Sequence, residues 1–280
     1  MEEFGVFKTV SSLREKLDSI NKNTPVAFVP TMGALHHGHL ELVKKAFEST
    51  SCVVVSIFVN PTQFNNADDL AAYPRTLEND LRLLKTVGDV LVFAPTVDEV
   101  YPPQFREINL RLGALEEVME GHFRPGHFKG VVNVVNRLFE IVQPDYAFFG
   151  LKDFQQLAVI RFMVEEMKLP VKIVPCETVR ETSGLASSSR NMRLSPTELE
   201  DATLISSVID KAKEWAKSLS PEETQRAAKK MFEASPLKLE YLEIVDPNSL
   251  QKLEKWVEGS RMCIAAWCGA VRLIDNDLIR

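Results

Sequence analysis

Residues Val26–Leu40, VAFVPTMGALHHGHL, constrain this chain more than any other stretch. Val26, Ala27, Phe28 and Val29 form a short unbroken apolar run, as a strand buried on both faces of a parallel sheet requires. Pro30 has no N–H to give a ladder, so the strand is expected to end there. Gly33 allows a tight turn and a close backbone approach by a ligand. From Leu35 the period becomes helical: Leu35, Leu40, Val43 and Phe47 share a face, with Lys44 and Lys45 elsewhere. His36 and His39, three apart, then lie on one side of the first turn. Two imidazoles and free backbone N–H groups at a helix start suit an anion such as phosphate.

Three readings of HHGH are open at this point: a nucleotide phosphate site, structural histidines that cap or pack, and a zinc site. No neighbouring Cys, Asp or Glu offers an obvious third zinc ligand, and no GxxxxGK[ST] loop binds phosphate elsewhere. The segment resembles the HxGH signature of the nucleotidyltransferase superfamily, which includes class I aminoacyl-tRNA synthetases. Composition argues against a tRNA partner: a formal charge of −6 gives no basic footprint for nucleic acid. The four cysteines, Cys52, Cys176, Cys263 and Cys268, form no CxxC pair and read as reduced thiols of a cytoplasmic protein. The acidic start MEEFGVFKTV has no leader-like apolar core, and the longest apolar run, around Cys52–Val59, fits one strand rather than a membrane span.

Along the chain, 9–22 reads as a helix, and Cys52–Val59 completes a strand–helix–strand unit, so a parallel sheet follows. Ligands in such sheets sit at the carboxyl ends of the strands, where Pro30–His39 and Asn60–Phe64 both fall. Gln63 is thereby placed to hydrogen-bond a substrate. Residues 65–73 look like a polar surface loop, and Thr76 is a candidate cap for a helix reaching Val87. Asp89–Ala94, Asp145–Gly150 and Val171–Pro175 are further strands. The segment GHFRPGHFKG (121–130) reads as a loop with anion-binding potential, or as a structural turn. An apolar helix over 131–142 follows it. Lys152 opposes the dipole of the helix it opens, a penalty that a bound polyphosphate reverses. Ser183–Asn191 carries Ser187, Ser188, Ser189 and Arg190 in a Gly-containing loop suited to phosphate. Beyond it, charged helices over 196–217 and 221–234 and short strands near 239–245, 262–267 and 271–274 make a small α+β domain.

PTMGALHHGH, SIFVNPTQF, YPRT, RPGHFKGV, QPDYAFFGLKDFQQ, the SSRN loop and AAWCGAVRLIDN, in that order, resemble the pantoate–β-alanine ligase family over essentially the whole chain. The resemblance implies an α/β fold: a Rossmann-like parallel-sheet domain (1–184) and a smaller α+β C-terminal domain (185–280) closing over the active site. It implies ATP-dependent condensation of pantoate with β-alanine through pantoyl adenylate, releasing AMP and diphosphate. It places ATP against Met32, Gly33, Ala34, Leu35, His36, His37, Gly38, His39, Gly150, Leu151, Lys152, Asp153, Val179, Ser187, Ser188, Ser189 and Arg190. His36, His39, Lys152, Ser188, Ser189 and Arg190 are its catalytic set, with a proton-donor role for His39, and Gln63 and Gln156 hold pantoate. It further implies Mg2+ on the ATP phosphates, with no protein ligands assigned, a lid at 65–73, and a cytoplasmic homodimer without nucleic-acid or membrane partners. Two positions depart from the family pattern: Leu151 stands where Glu is usual, and Ser187 where an aliphatic residue or Met is usual.

Overall fold

The computed structural model describes residues 5–280, so the reading of the chain's start rests partly on residues 1–4, outside the described residues. In chain order the first elements are β1 (Val6–Phe7), α1 (Val10–Asp18), β2 (Val26–Thr31), α2 (His37–Phe47), β3 (Cys52–Ile57), α3 (Ala67–Ala72), α4 (Leu77–Lys85), β4 (Leu91–Phe93), α5 (Val97–Val100), α6 (Met119–Phe123), α7 (His127–Val142), β5 (Tyr146–Gly150), α8 (Phe154–Glu166) and β6 (Lys172–Cys176). The six strands form one sheet in the order β1-β4-β3-β2-β5-β6, with every pair parallel. This is the expected Rossmann-like α/β architecture. Strand order reverses at β2, between β3 and β5, and such a reversal opens a crevice at the strands' carboxyl ends.

Alternation along the strands fills both faces. Ala27, Val29, Val53, Val55, Val92 and Phe148 pack with Leu40, Val43 and Ala46 of α2 and Leu84 of α4. The intervening Phe28 meets Phe139 of α7 edge-on at 6.3 Å between centroids, and Phe139 meets Phe149 at 6.5 Å. Each such side chain fully buried contributes about 1.5–3 kcal/mol.

The chain divides into two compact units, the first being Met1–Leu112, Arg124–Gly150 and Gln156–Cys176. The second is Glu177–Arg280 together with Gly113–Phe123 and Leu151–Gln155. It contains α9 (Pro196–Ala202), α10 (Leu204–Trp215), α11 (Pro221–Glu233) and the antiparallel strands β7 (Lys238–Val245), β8 (Arg261–Cys268) and β9 (Val271–Leu278), ordered β7-β8-β9. The returning segments are held by specific bonds. Gln155 Nε2 donates to the Leu115 and Val118 carbonyls, both at 2.8 Å, and its Oε1 accepts from Glu120 N at 2.8 Å. Arg272 grips Glu120 bidentately at 2.9 and 2.7 Å and also donates to Glu240, whose other oxygen accepts from Trp267.

Several local expectations are corrected. β2 runs through Pro30 to Thr31. Thr31 turns its carbonyl to Phe58 on the β3 side, so Pro30 faces the β5 side, where pairing covers only Ala27 and Phe28 and no N–H is missed. Residues 65–73 are not simply a loop: Asn66 caps α3, and Tyr73 is buried edge-on to Phe64. The 121–130 loop dissolves into the end of α6 and the start of α7, because Gly126 at φ 81° lets α7 begin four residues before Val131. Thr76 makes no side-chain cap, its hydroxyl donating instead to Asp80 at 3.1 Å. The single helix expected over 196–217 is two, and at the junction the Thr203 hydroxyl bonds back to the Glu200 carbonyl at 2.7 Å.

Candidate active site

The turn after β2 is held from beneath. Asp80 on α4 is fully buried and accepts Ala34 N–H at 3.0 Å on Oδ2 and Leu35 N–H at 2.8 Å on Oδ1. Ala34 adopts φ 50° and Gly33 φ 77°. A Cβ on Gly33 lies 2.9 Å from Ile57 Cγ2 and 3.0 Å from Asp80 Oδ2, so only glycine lets the turn pass this close.

The two histidines cap α2 reciprocally. His36 is the N-cap residue, and its Nδ1 accepts Gly38 N–H at 3.1 Å, while His39 Nδ1 accepts His36 N–H at 3.3 Å. Their rings lie 4.0 Å apart between centroids. A ring nitrogen that accepts an N–H carries no proton, so each imidazole holds its proton on Nε2. The structural reading of these residues is therefore correct as geometry, and it makes Nε2–H the donor of each ring. The amides expected to be free are occupied: Gly33 by Thr31 Oγ1, Ala34 and Leu35 by Asp80, His36 and Gly38 by the imidazoles. His37 is exposed beside Glu41, at 3.6 Å.

Gln63 ends a short helical turn, Pro61–Gln63, that follows β3. Its Nε2 donates to Met32 Sδ at 3.2 Å, and its Oε1 accepts from Asn60 Nδ2 at 3.2 Å. Asn60 is itself buried and bonded to the Tyr101 hydroxyl at 2.9 Å. His127 Nδ1 donates to the Gln63 carbonyl at 2.8 Å. Gly130 brings α7 so near this turn that a Cβ there lies 2.4 Å from Thr62 O. Two groups of the expected anion loop are thus spoken for, His127 by Gln63 and Lys129 by Glu107 at 2.6 Å. Gln156 is half-buried on α8, and Gly150 ends β5.

In the second unit, Leu151–Asp153 form a short helical turn whose Leu151 and Lys152 carbonyls accept from Asn276 Nδ2 at 3.0 and 2.7 Å. Among the described residues the Lys152 ammonium makes no hydrogen bond or ion pair, with Asp275 as its charge neighbour. Asp153 is exposed. Val179 to Ser187 close as a hairpin, Ser187 N–H donating to the Val179 carbonyl at 2.9 Å and Glu181 N–H to the Leu185 carbonyl at 2.8 Å. The Ser187 hydroxyl, one departure from the family pattern, donates to Glu181 Oε1. Ser188 caps the turn Ser189–Arg193, its Oγ accepting Arg190 N–H at 3.3 Å. Burial works against the Arg180 guanidinium, but Asp275, bonded at 2.6 Å, holds it above its ordinary value.

A family model for pantoate–beta-alanine ligase matches residues 5–278. The chain belongs to the pantoate–β-alanine ligase family. It is 50% identical over 276 residues to a pantothenate synthetase of Bacteroides thetaiotaomicron, covering 97% of each chain. It is 47% identical to one of Porphyromonas gingivalis, covering 97% of this chain and 98% of the other. A pantothenate synthetase structure from Thermus thermophilus aligns with a TM-score of 0.92 at 42% identity, over 98% and 99% of the two chains. A pantoate–beta-alanine ligase from Francisella tularensis, complexed with beta-gamma ATP and beta-alanine, aligns with a TM-score of 0.83 at 36% identity, over 99% and 98%.

Burial pushes the thiols of Cys52 and Cys268 up and that of Cys263 to about 12, which disfavours the thiolate form of each. Among the described residues no group of three or more His, Cys, Asp or Glu is placed to hold a metal ion, and no helix is long and apolar enough to cross a membrane. Sequence reading missed Asp80, Asn60 and Gln155. Asp80, Asn60 and Gln155 each act on partners distant in sequence, which nothing in their local surroundings announces.

Proposed function

We propose that this ligase joins pantoate to β-alanine with ATP as activator, and that the residues described above carry both half-reactions. The pantoate carboxylate attacks the α-phosphorus, and the bond to pyrophosphate breaks as the acyl–phosphate bond forms. The neutral amine of β-alanine then attacks the acyl carbon; AMP leaves and the new amide loses its extra proton. Such transfers depend on positioning and charge neutralisation. The observation that carries the reading is the pair of imidazoles at the start of α2, each accepting a backbone N–H on Nδ1; that geometry assigns the ring proton to Nε2, which we assign to a phosphate oxygen. We assign His39 hydrogen-bond donation at this atom in place of proton transfer.

ATP is assigned to Met32–His39, Gly150–Asp153, Val179 and Ser187–Arg190, with Lys152 and Arg190 opposing phosphate charge and Ser188 and Ser189 supplying hydroxyls. Gln63 and Gln156 are assigned to pantoate. The ATP and β-alanine in the Francisella complex support the nucleotide and amine classes. Nitrogen and hydroxyl donors dominate these residues and make a poor magnesium cage, so the ion is assigned to the phosphates. Residues 65–73, with no buried residue in α3, are proposed to shield the adenylate from water. A cytoplasmic homodimer belongs to the same proposal and is supported by family resemblance.

The test is pyrophosphate release from ATP with pantoate, without and then with β-alanine. Limited release alone, turning into sustained formation of pantothenate and AMP with β-alanine, is expected. No release from folded, ATP-binding protein under either condition refutes the proposal. Lys152→Ala and His39→Ala are each expected to lower adenylate formation by on the order of 10²–10³.

A further inference from the structure

We infer that Asn276 of β9, locked in place by Asp275 and Arg261, is a positioning residue that aims Lys152. The inference rests on the assignment of Lys152 to ATP made above. Asn276 is 3% exposed, and its side chain is fully committed. Nδ2 donates to both the Leu151 carbonyl, at 3.0 Å, and the Lys152 carbonyl, at 2.7 Å. Oδ1 accepts from Arg261 Nη1 at 2.7 Å, which fixes the amide's orientation: a flipped group sets oxygen against two carbonyls and nitrogen against a cation.

The backbone of Asn276 is fixed as well. Its N–H donates to Asp275 Oδ1 at 2.8 Å, and Asp275, 4% exposed, holds Arg180 at 2.6 and 3.1 Å. Arg261 lies 4.8 Å over the ring of Phe154, the first residue of α8. The turn that bears Lys152 is thus clamped by its peptide groups from β9, while the ammonium itself is left without a hydrogen-bonding partner among the described residues. A long side chain whose tip is unrestrained is aimed by its backbone, and two adjacent carbonyls held by one rigid amide set that direction. Through Arg180, which also donates to the Gly184 carbonyl at 3.1 Å, the same dipeptide reaches the hairpin from which Ser188–Arg190 continue. Lys152 and that hairpin are therefore registered against one strand.

The experiment is a double-mutant cycle on the first half-reaction, read as pantoate-dependent exchange of pyrophosphate into ATP. Asn276→Asp keeps the acceptor for Arg261 and replaces the donor to the two carbonyls by an oxygen. In the parent enzyme it is expected to lower exchange roughly 10–100-fold, the scale of misplacing a catalytic group by about 1 Å. In a Lys152→Ala background the same change is expected to cost less than about threefold, because the group it aims is gone. A role confined to stability predicts equal losses in both backgrounds. Asn276→Ser, which retains one donor and leaves room for water, goes through the same cycle should the first variant not fold. If Lys152→Ala alone leaves exchange intact, the ATP assignment fails and the inference with it. If Lys152→Ala is impaired but the Asn276 variants are fully active, or equally damaging in both backgrounds, the inference alone is overturned.

Discussion

Asp80→Ala is expected to be among the costliest single changes in the first unit. Two backbone amides, Ala34 and Leu35, give their hydrogen bonds to this one carboxylate, at 3.0 and 2.8 Å, in a site with no exposure to water. A hydrogen bond to a charged group contributes about 1.5–3 kcal/mol, so losing both costs about 3–6 kcal/mol. Ala34 offsets part of this, because its φ of 50° is a conformation that costs about 1 kcal/mol or more and relaxes once those bonds no longer hold it. Asp80→Asn separates the contributions. Its amide oxygen still accepts one N–H, but its nitrogen faces the other, and about half the loss is expected. Thermal unfolding monitored in the first unit is the assay. At about 2–4 °C per kcal/mol for a domain of this size, Asp80→Ala should fall on the order of 10 °C or more and Asp80→Asn about half as far. Adenylate formation, measured where both variants are folded, should fall with them, because the turn carrying His36 and His39 has lost its support. An Asp80→Ala protein within about 2 °C of the parent, with full adenylate formation, refutes the reasoning.

Thr224 is fully buried and its hydroxyl has no hydrogen-bond partner among the described residues, so the near-isosteric Thr224→Val is expected to stabilise the second unit by about 1 kcal/mol; a loss in urea denaturation counters this. Arg272→Met strands Glu120 and Glu240, which are 9% and 16% exposed, and should cost about 3–5 kcal/mol, partly recovered by adding Glu120→Gln and Glu240→Gln. Equal urea midpoints for parent and Arg272→Met show that the cluster contributes nothing. The Ser195 and Ser220 backbone N–H groups hold Glu198 and Glu223 below their ordinary value of 4.5. A carboxylate lowered by folding contributes stability above that value and loses it as pH falls through the folded one. Glu198→Gln with Glu223→Gln should therefore flatten the stability curve below pH 4.5, and superimposable curves refute the capping account.

What was legible in the sequence was local. Val26–Val29 reads as a strand because its side chains are apolar on both faces, and Ser220-Pro221-Glu222-Glu223 reads as a helix start because both halves of the capping box lie within one turn. His36 and His39 could be paired by spacing alone. What the sequence hides is the remote partner. The amides of Ala34 and Leu35 look free until Asp80, 46 and 45 positions away, is folded beneath them. Gln155 and Gln156 are adjacent and chemically identical, yet one is buried holding Leu115, Val118 and Glu120 while the other stays half-buried on α8. Pro30 misleads for a related reason: a missing donor matters only on the side where a strand is paired, and that is a property of the sheet.

The clamp on the Lys152 turn also sets a clock on synthesis. Asn276 lies 124 positions beyond Lys152, whereas every strand of the parallel sheet has been made by Cys176. At a translation rate of about 5–20 residues per second, roughly 6–25 s separate the emergence of the lysine from that of the amide that seats it. During that interval the nascent chain has every strand of the parallel sheet, while the turn bearing Lys152 still lacks the amide that holds it.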